Sequence, residues 1–259
     1  MINSDIIAQY LESKNTTLNE VLSTIRQGIP DDVPFTTVFY SSAMEGLGTF
    51  SSDIDVYVLI PKDQGLQYQR TYNSGIGVRV EKIKKSEFDI EYWPIARLND
   101  FLRMLKKSDG VTGDFNTLKV FMRLNTGYVI RNENSDWDIH FWNELQTVKL
   151  NNLIAKRFLL DGRSMYDDAI KLHRGGEALL AYEQLQRASW MVMSAANAIQ
   201  NKANLKEKWI AKIFFSTEMG NDYKSSYEES FLSAFSVPIL ETRFDFVQNL
   251  MSELSFRGS

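Results

Sequence analysis

Residues 41–56 carry the sequence SSAMEGLGTFSSDIDV, in which a turn of small residues joins two segments of strand character. Residues 36–40 precede the turn and residues 54–60 follow it, and both are rich in β-branched and aromatic side chains. Asp53 and Asp55 stand two positions apart at the start of the second segment. Because side chains alternate between the two faces of a strand, both carboxylates are expected on one face, about 6.6 Å apart along the strand.

The paired aspartates predict a divalent cation. Two neighbouring anions repel each other, so the pattern favours a compensating ion between them, and Mg²⁺ prefers oxygen ligands while leaving positions for phosphate oxygens. A third acid is available in residues 88–93, FDIEYW, where Asp89 and Glu91 share one face of another predicted strand. With Asp53 and Asp55, one of these acids would complete a cage for two ions that activates a hydroxyl and holds a phosphate. We prefer Glu91, because it lies deeper towards the end of the strand, and Asp89 remains the alternative.

These residues resemble the nucleotidyltransferase superfamily related to DNA polymerase beta. The signature of that superfamily is a Gly-Ser turn, a spacer, an Asp-apolar-Asp-apolar strand and a later acid on a neighbouring strand. Ser41-Ser42 takes the position of the Gly-Ser turn here, with serine where glycine is usual, and residues 52–56 match the acidic strand. The resemblance covers roughly residues 17–93 and extends to kanamycin-type and minimal nucleotidyltransferases.

The resemblance implies a reaction and roles for the acids. An acceptor hydroxyl would attack the α-phosphorus of a nucleoside triphosphate, most often ATP, and pyrophosphate would leave. Asp53 and Asp55 would bridge two Mg²⁺ ions, and Glu91 or Asp89 would bind the ion nearest the nucleophile and assist its deprotonation.

The triphosphate needs further contacts. The resemblance implies that Ser41 and Ser42 contact the β- and γ-phosphates, where small residues allow a close approach. Residues 1–94 carry 8 Lys and Arg against 13 Asp and Glu, so balancing cations are expected from the rest of the chain. We expect Lys208, or failing it Lys149, to clamp the β- or γ-phosphate.

The pattern along the chain predicts an α+β fold. Two helical segments open the chain and about five strand-like segments follow up to Pro94, after which the apolar period changes from two to nearly four. We therefore predict two domains. Residues 1–94 would form a nucleotidyltransferase domain with a mixed sheet and flanking helices, and residues 95–259 would form a helical accessory domain.

Composition narrows the class of protein. The 259 residues include no Cys, which excludes disulfides, thiolate zinc sites and cysteine nucleophiles. The 2 His leave little room for a metal site built from histidines. No apolar run is long enough to span a membrane, and the N-terminus lacks a basic-then-apolar leader, so a cytoplasmic protein is expected. The formal charge of −4 opposes non-specific binding to nucleic acid. A small-molecule acceptor such as an aminoglycoside is the first expectation. Transfer to a protein or tRNA is the alternative, as is a non-catalytic nucleotide-binding protein.

Overall fold

The computed structural model describes residues 2–48, 52–62, 70–71, 76–84, 86–107, 115–131 and 136–257. It divides into two compact units. The first comprises Met1–Lys107 and Lys119–Val148, and the second comprises Ser108–Leu118 and Lys149–Ser259. None of the helices in the described ranges has both the length and the apolar character that crossing a membrane requires.

The first unit combines a sheet with helices. Its elements in chain order are α1 (Ile2–Ser13), α2 (Leu18–Arg26), β1 (Thr36–Tyr40), β2 (Ile54–Ile60), β3 (Arg70–Thr71), β4 (Gly77–Ile83), β5 (Ser86–Pro94), α3 (Ile95–Lys107), α4 (Phe115–Thr126), whose first residues belong to the second unit, β6 (Tyr128–Arg131) and α5 (Ile139–Gln146). A capping box opens α2, where Thr17 and Glu20 satisfy each other's backbone N–H groups.

The six strands found in the described ranges form one mixed sheet in the order β3-β4-β5-β2-β1-β6. Strands β2 and β5 are parallel, and the other neighbouring strands are antiparallel. β6 lies beyond the domain boundary expected at residue 94, yet it pairs with β1, so the first unit extends to Val148. The segment is only four residues long and follows a helix, which gives it little periodic signal in the sequence.

Alternation along the strands separates an apolar face from an acidic one. One face packs against α1 and α2 through a buried apolar cluster that includes Ile7, Leu11, Val21, Ile25, Ile54, Val56, Val58, Phe88 and Ile90. Asp55 and Asp89 occupy the intervening positions of β2 and β5, so they project from the opposite face. The apolar cluster therefore fixes which side of the sheet carries the carboxylates.

The described part of the second unit is helical, as expected for the C-terminal half. Its elements are α6 (Leu150–Arg174), α7 (Ala178–Ile199), a 3₁₀ turn (Glu207–Trp209), α8 (Ile210–Phe214), α9 (Glu218–Phe231) and α10 (Val237–Arg257). Gly162 brings α6 close to α7, because a Cβ at this position would lie 2.8 Å from Cγ2 of Val192.

Candidate active site

The register of the two parallel strands places the predicted acids. Asp55 lies opposite Asp89, and Tyr57 lies opposite Glu91. Asp53 directly precedes β2 and is exposed, whereas Asp55 and Asp89 are half-buried. Because paired positions of neighbouring strands share a face, Asp89 stands beside Asp55, and Glu91 is one pleat period further along, about 6.6 Å.

Glu91 has a different environment from the two aspartates. Its Oε2 accepts a hydrogen bond from Nε1 of Trp93 at 2.9 Å. Burial raises the pKa of Glu91, although the Trp93 hydrogen bond and the charge of Arg123 act in the opposite direction. The preference for Glu91 as third acid rested on its depth in the strand. The register instead makes Asp89 the neighbour of Asp55, so the geometry favours Asp89.

A buried arginine, which the sequence reasoning missed, stands against Asp55. Nη1 of Arg123, on α4, lies 3.2 Å from Oδ1 of Asp55 and also donates to the hydroxyl of Tyr57. Its guanidinium carbon lies 5.0 Å from the ring centroid of Tyr40, within cation–π range. Arg123 is 3% exposed. It supplies positive charge directly to the second aspartate of the pair.

The sequence contains a weak signal for this arginine. Arg123 is the one charged residue in the segment 120–124, VFMRL, whose other members are apolar. A charge in such a window is buried only when the tertiary structure supplies partners for it. Those partners come from β1 and β2, so local patterning cannot reveal them.

The serines of the turn are buried. Ser41 is 0% exposed and Ser42 is 2% exposed. Oγ of Ser41 donates to the carbonyl oxygen of Asp53 at 3.0 Å, and the hydroxyl of Tyr10 donates to Ser41 at 3.1 Å. The carbonyl of Ser42 accepts from the N–H groups of Leu47 and Gly48 at 2.9 and 2.8 Å. The turn is therefore closed on itself and tied to the start of β2.

Serine at position 41 causes no backbone strain. Among the described residues, the non-glycine positions with positive φ are Asn15, Lys84 and Asn201, so Ser41 does not adopt a conformation that needs glycine. Glycine is needed at position 48. A Cβ on Gly48 would lie 2.4 Å from Oγ of Ser52, 2.6 Å from N of Ala43 and 2.7 Å from Oγ of Ser42.

A second buried cation comes from the end of α1. Nζ of Lys14 donates to the carbonyl oxygen of Ser52 at 2.8 Å, and Lys14 is 7% exposed. The residue thus secures the chain directly before Asp53. Together with Arg123, it shows that the first unit places two cations next to its acidic segment, although its overall count of charges is negative.

Lys208 and Lys149 belong to the second unit. Lys208 is exposed, and its Nζ lies 5.2 Å from the ring centroid of Trp209. Lys149 is exposed and directly precedes α6. Their binding to phosphate stays a prediction.

The donor set fits a metal ion that shares its ligands with a nucleotide. Within the described part of the chain, no three His, Asp or Glu side chains come close enough together to hold an ion by themselves. Mg²⁺ in phosphate-transfer sites commonly takes one or two carboxylates and completes its shell with phosphate oxygens and water. The cage of three carboxylates expected from the sequence is therefore not formed within these residues. The candidate oxygen donors for such an ion are Asp53 and Asp55, and Asp89 is the strand neighbour of Asp55.

Comparison with known proteins bears on the fold. No protein-family model and no curated protein sequence matches the chain. Among solved structures, the chain is similar to the crystal structure of a nucleotidyltransferase-like protein from Exiguobacterium sibiricum 255-15, with a TM-score of 0.54. The match covers 93% of this chain and 76% of that chain, at 10% sequence identity. At this identity the likeness concerns the fold alone, and it confirms the predicted α+β fold with a helical C-terminal region.

Proposed function

We propose that the chain is a nucleotidyltransferase. An acceptor hydroxyl oxygen forms a bond to the α-phosphorus of a nucleoside triphosphate, and the bond from that phosphorus to the pyrophosphate oxygen breaks. The observation that carries the proposal is the position of Asp55 beside Asp89 on parallel strands, with Asp53 just before the strand and a tight turn linked to Asp53. The fold similarity to a nucleotidyltransferase-like protein supports it.

The acids have distinct proposed roles. Asp53 and Asp55 hold Mg²⁺, which when bound neutralises phosphate charge and polarises the α-phosphoryl group. Asp89 accepts the proton of the attacking hydroxyl. Arg123 orients the Asp55 carboxylate through its 3.2 Å contact. Glu91 has a structural role, because it accepts a hydrogen bond from Trp93 two residues further along the same strand.

The turn has both structural and binding roles in this proposal. The hydroxyl of Ser41 already donates to the Asp53 carbonyl, so we assign it to holding the turn in place. Ser42 and the backbone of the turn are proposed to contact the β- and γ-phosphates. The cation from the second unit is proposed to be Lys208, or failing it Lys149.

The acceptor is proposed to be the hydroxyl of a small molecule, and the donor ATP. The net charge of −4 is unfavourable for a large polyanionic acceptor such as tRNA. A protein acceptor is compatible with the same chemistry and is included in the test.

The ion pair between Arg123 and Asp55 favours a second candidate function, non-catalytic nucleotide binding. The guanidinium supplies part of the positive charge that a metal ion would bring to Asp55. A protein that binds a nucleotide without transferring it needs less metal charge at this position.

One experiment separates these functions. The purified protein is incubated with Mg²⁺, each of four nucleoside triphosphates and a panel of hydroxyl-bearing acceptors. Mass spectrometry then detects acceptors that have gained a nucleoside monophosphate, and a coupled assay detects pyrophosphate. Transfer that requires both Asp53 and Asp89 supports the enzyme. Nucleotide binding without adduct or pyrophosphate in every combination supports the non-catalytic alternative.

A further inference from the structure

Several apolar side chains are exposed around the loop between α9 and α10. The apolar patch consists of four residues that are 57%, 72%, 43% and 56% exposed, namely Leu179, Leu232, Phe235 and Val237. Tyr182 on α7 contacts the loop between α9 and α10. The ring centroid of Tyr182 lies 5.1 Å from that of Phe235, and the hydroxyl of Tyr182 donates to the Ser233 carbonyl at 3.2 Å. Leu179 lies three residues before Tyr182 on α7, on the same helix face.

A buried arginine holds the backbone next to the patch. Arg243 is 2% exposed, and its guanidinium donates to the carbonyls of Ser230, Phe231 and Tyr182 at 2.7, 3.4 and 3.0 Å. These bonds connect the last turn of α9 to α7 and α10. An apolar surface that is already ordered loses little conformational entropy when it binds a partner.

Glutamates lie one helical turn away from residues of the patch. Glu183 lies four residues after Leu179, Glu228 four residues before Leu232, and Glu241 four residues after Val237. Residues 175–186 and 225–242 contain five glutamates, all of them exposed, and no Lys or Arg. The exposed bases Arg187 and Lys224 lie one helical turn further from the patch than Glu183 and Glu228. The patch therefore combines an apolar centre with acidic flanks.

We propose that the apolar patch binds a basic amphipathic segment of a partner protein, with apolar side chains on Leu232, Phe235 and Val237 and with Lys or Arg towards the glutamates. Apolar contact supplies affinity, and complementary charge selects the partner. A two-fold contact between copies of this chain would bring glutamates against glutamates. Nucleic acid and anionic membranes would meet the same repulsion. The proposal does not depend on the proposed transferase activity.

The test uses a labelled synthetic peptide with leucines on one helical face and lysines on the other, and a matched peptide with glutamates in place of the lysines. Fluorescence anisotropy measures the binding of each to the full chain. We expect the lysine peptide to bind and the glutamate peptide to bind at least about tenfold more weakly. The double substitution Leu232→Ser and Val237→Ser should weaken binding of the lysine peptide about tenfold, because it removes apolar contact area.

Two further variants keep the test decisive if the double substitution disturbs the fold. Glu228→Gln and Glu241→Gln leave the apolar surface intact and should weaken binding and reduce its salt dependence. Met104→Ser, at a residue 56% exposed in the first unit, is the control and should bind as the wild type does. Equal binding of both peptides, or unchanged binding in the glutamate variants, would overturn the proposal. A concentration-dependent dimer that Leu232→Ser abolishes would overturn it in favour of self-association.

Discussion

Nη1 of Arg123 lies 3.2 Å from Oδ1 of Asp55, and the two side chains are only 4% and 15% exposed. The pair therefore lies in a poorly solvated environment, in which a charge that lacks a partner is costly. Asp55 has two roles in our interpretation, as a candidate metal ligand and as the carboxylate that balances a buried arginine. This combination makes the stability of the first unit sensitive to both residues.

The substitution Arg123→Met should destabilise the first unit. It removes the cation beside the half-buried carboxylate of Asp55, so a loss of about 1.5–3 kcal/mol in the free energy of unfolding is expected. Urea denaturation followed by circular dichroism measures it. Arg103→Met is the matched control, because Arg103 pairs with Asp100 on an exposed helix face. The control should change stability by no more than about 0.5 kcal/mol, and an equal effect of the two variants would contradict the role of Arg123.

Asp53→Asn and Asp55→Asn should both abolish nucleotidyl transfer, because each removes charge from the candidate metal site without changing side-chain volume. Their effects on stability should differ. Relief of repulsion between two carboxylates would by itself predict a gain in Tm, but Asp55 also balances Arg123. Asp55→Asn should therefore lower Tm, while Asp53, which is exposed, should tolerate the change. Asp32→Asn, at an exposed position of the same unit, is the control for both measurements.

Transfer assays on Asp89→Asn and Glu91→Gln test the register argument. Asp89 lies beside Asp55, so Asp89→Asn should reduce transfer as severely as Asp55→Asn does. Glu91→Gln should cost much less, because the amide oxygen can still accept the hydrogen bond from Trp93. The opposite ranking would return the role of third acid to Glu91.

The buried Glu91 should also affect the pH dependence of stability. Burial raises its pKa above the ordinary value of 4.5, so the unfolded chain loses this proton at a lower pH than the folded chain does. Stability from this group is therefore complete below pH 4.5 and is lost as the pH rises through the higher folded value. Glu91→Gln should become more stable relative to the wild type as the pH rises from 4 to 8. Thermal denaturation at a series of pH values checks this, and a stability difference that is independent of pH would contradict it.

The two glycines of the turn should differ in their tolerance of alanine. Gly48→Ala places a methyl group 2.4 to 2.7 Å from three polar atoms, including backbone N of Ala43, so the turn has to open. Gly46 has a φ of +71° with no atom near its Cβ position, and alanine there should cost only about 1–2 kcal/mol. Gly48→Ala should therefore lose more stability and more nucleotide affinity than Gly46→Ala. Calorimetric titration with a non-hydrolysable ATP analogue, together with Tm measurements, gives the comparison.

Local patterning predicted the features that depend on neighbouring residues in the sequence. It placed the strands on either side of the turn and indicated a helical C-terminal half. That Asp53 and Asp55 share one face stays a prediction, because Asp53 lies outside β2. The choice between Asp89 and Glu91 was inaccessible, because it depends on the register of two strands that are distant in sequence. Arg123 and Lys14 were missed for a related reason, since burial of a cation depends on partners from other elements.

The parallel pairing of β2 with β5 also constrains the order in which the sheet can assemble. β4 and β5 are consecutive and form an antiparallel hairpin with little loss of chain entropy. β2 reaches β5 only across the intervening β3 and β4, and such non-local contacts form slowly. We therefore expect Asp55 and Asp89 to meet after the hairpin has formed. Repulsion between two ionised carboxylates would oppose this step, so we expect the contact of Asp55 with Arg123 to assist the closure of the sheet as well as to stabilise the finished structure.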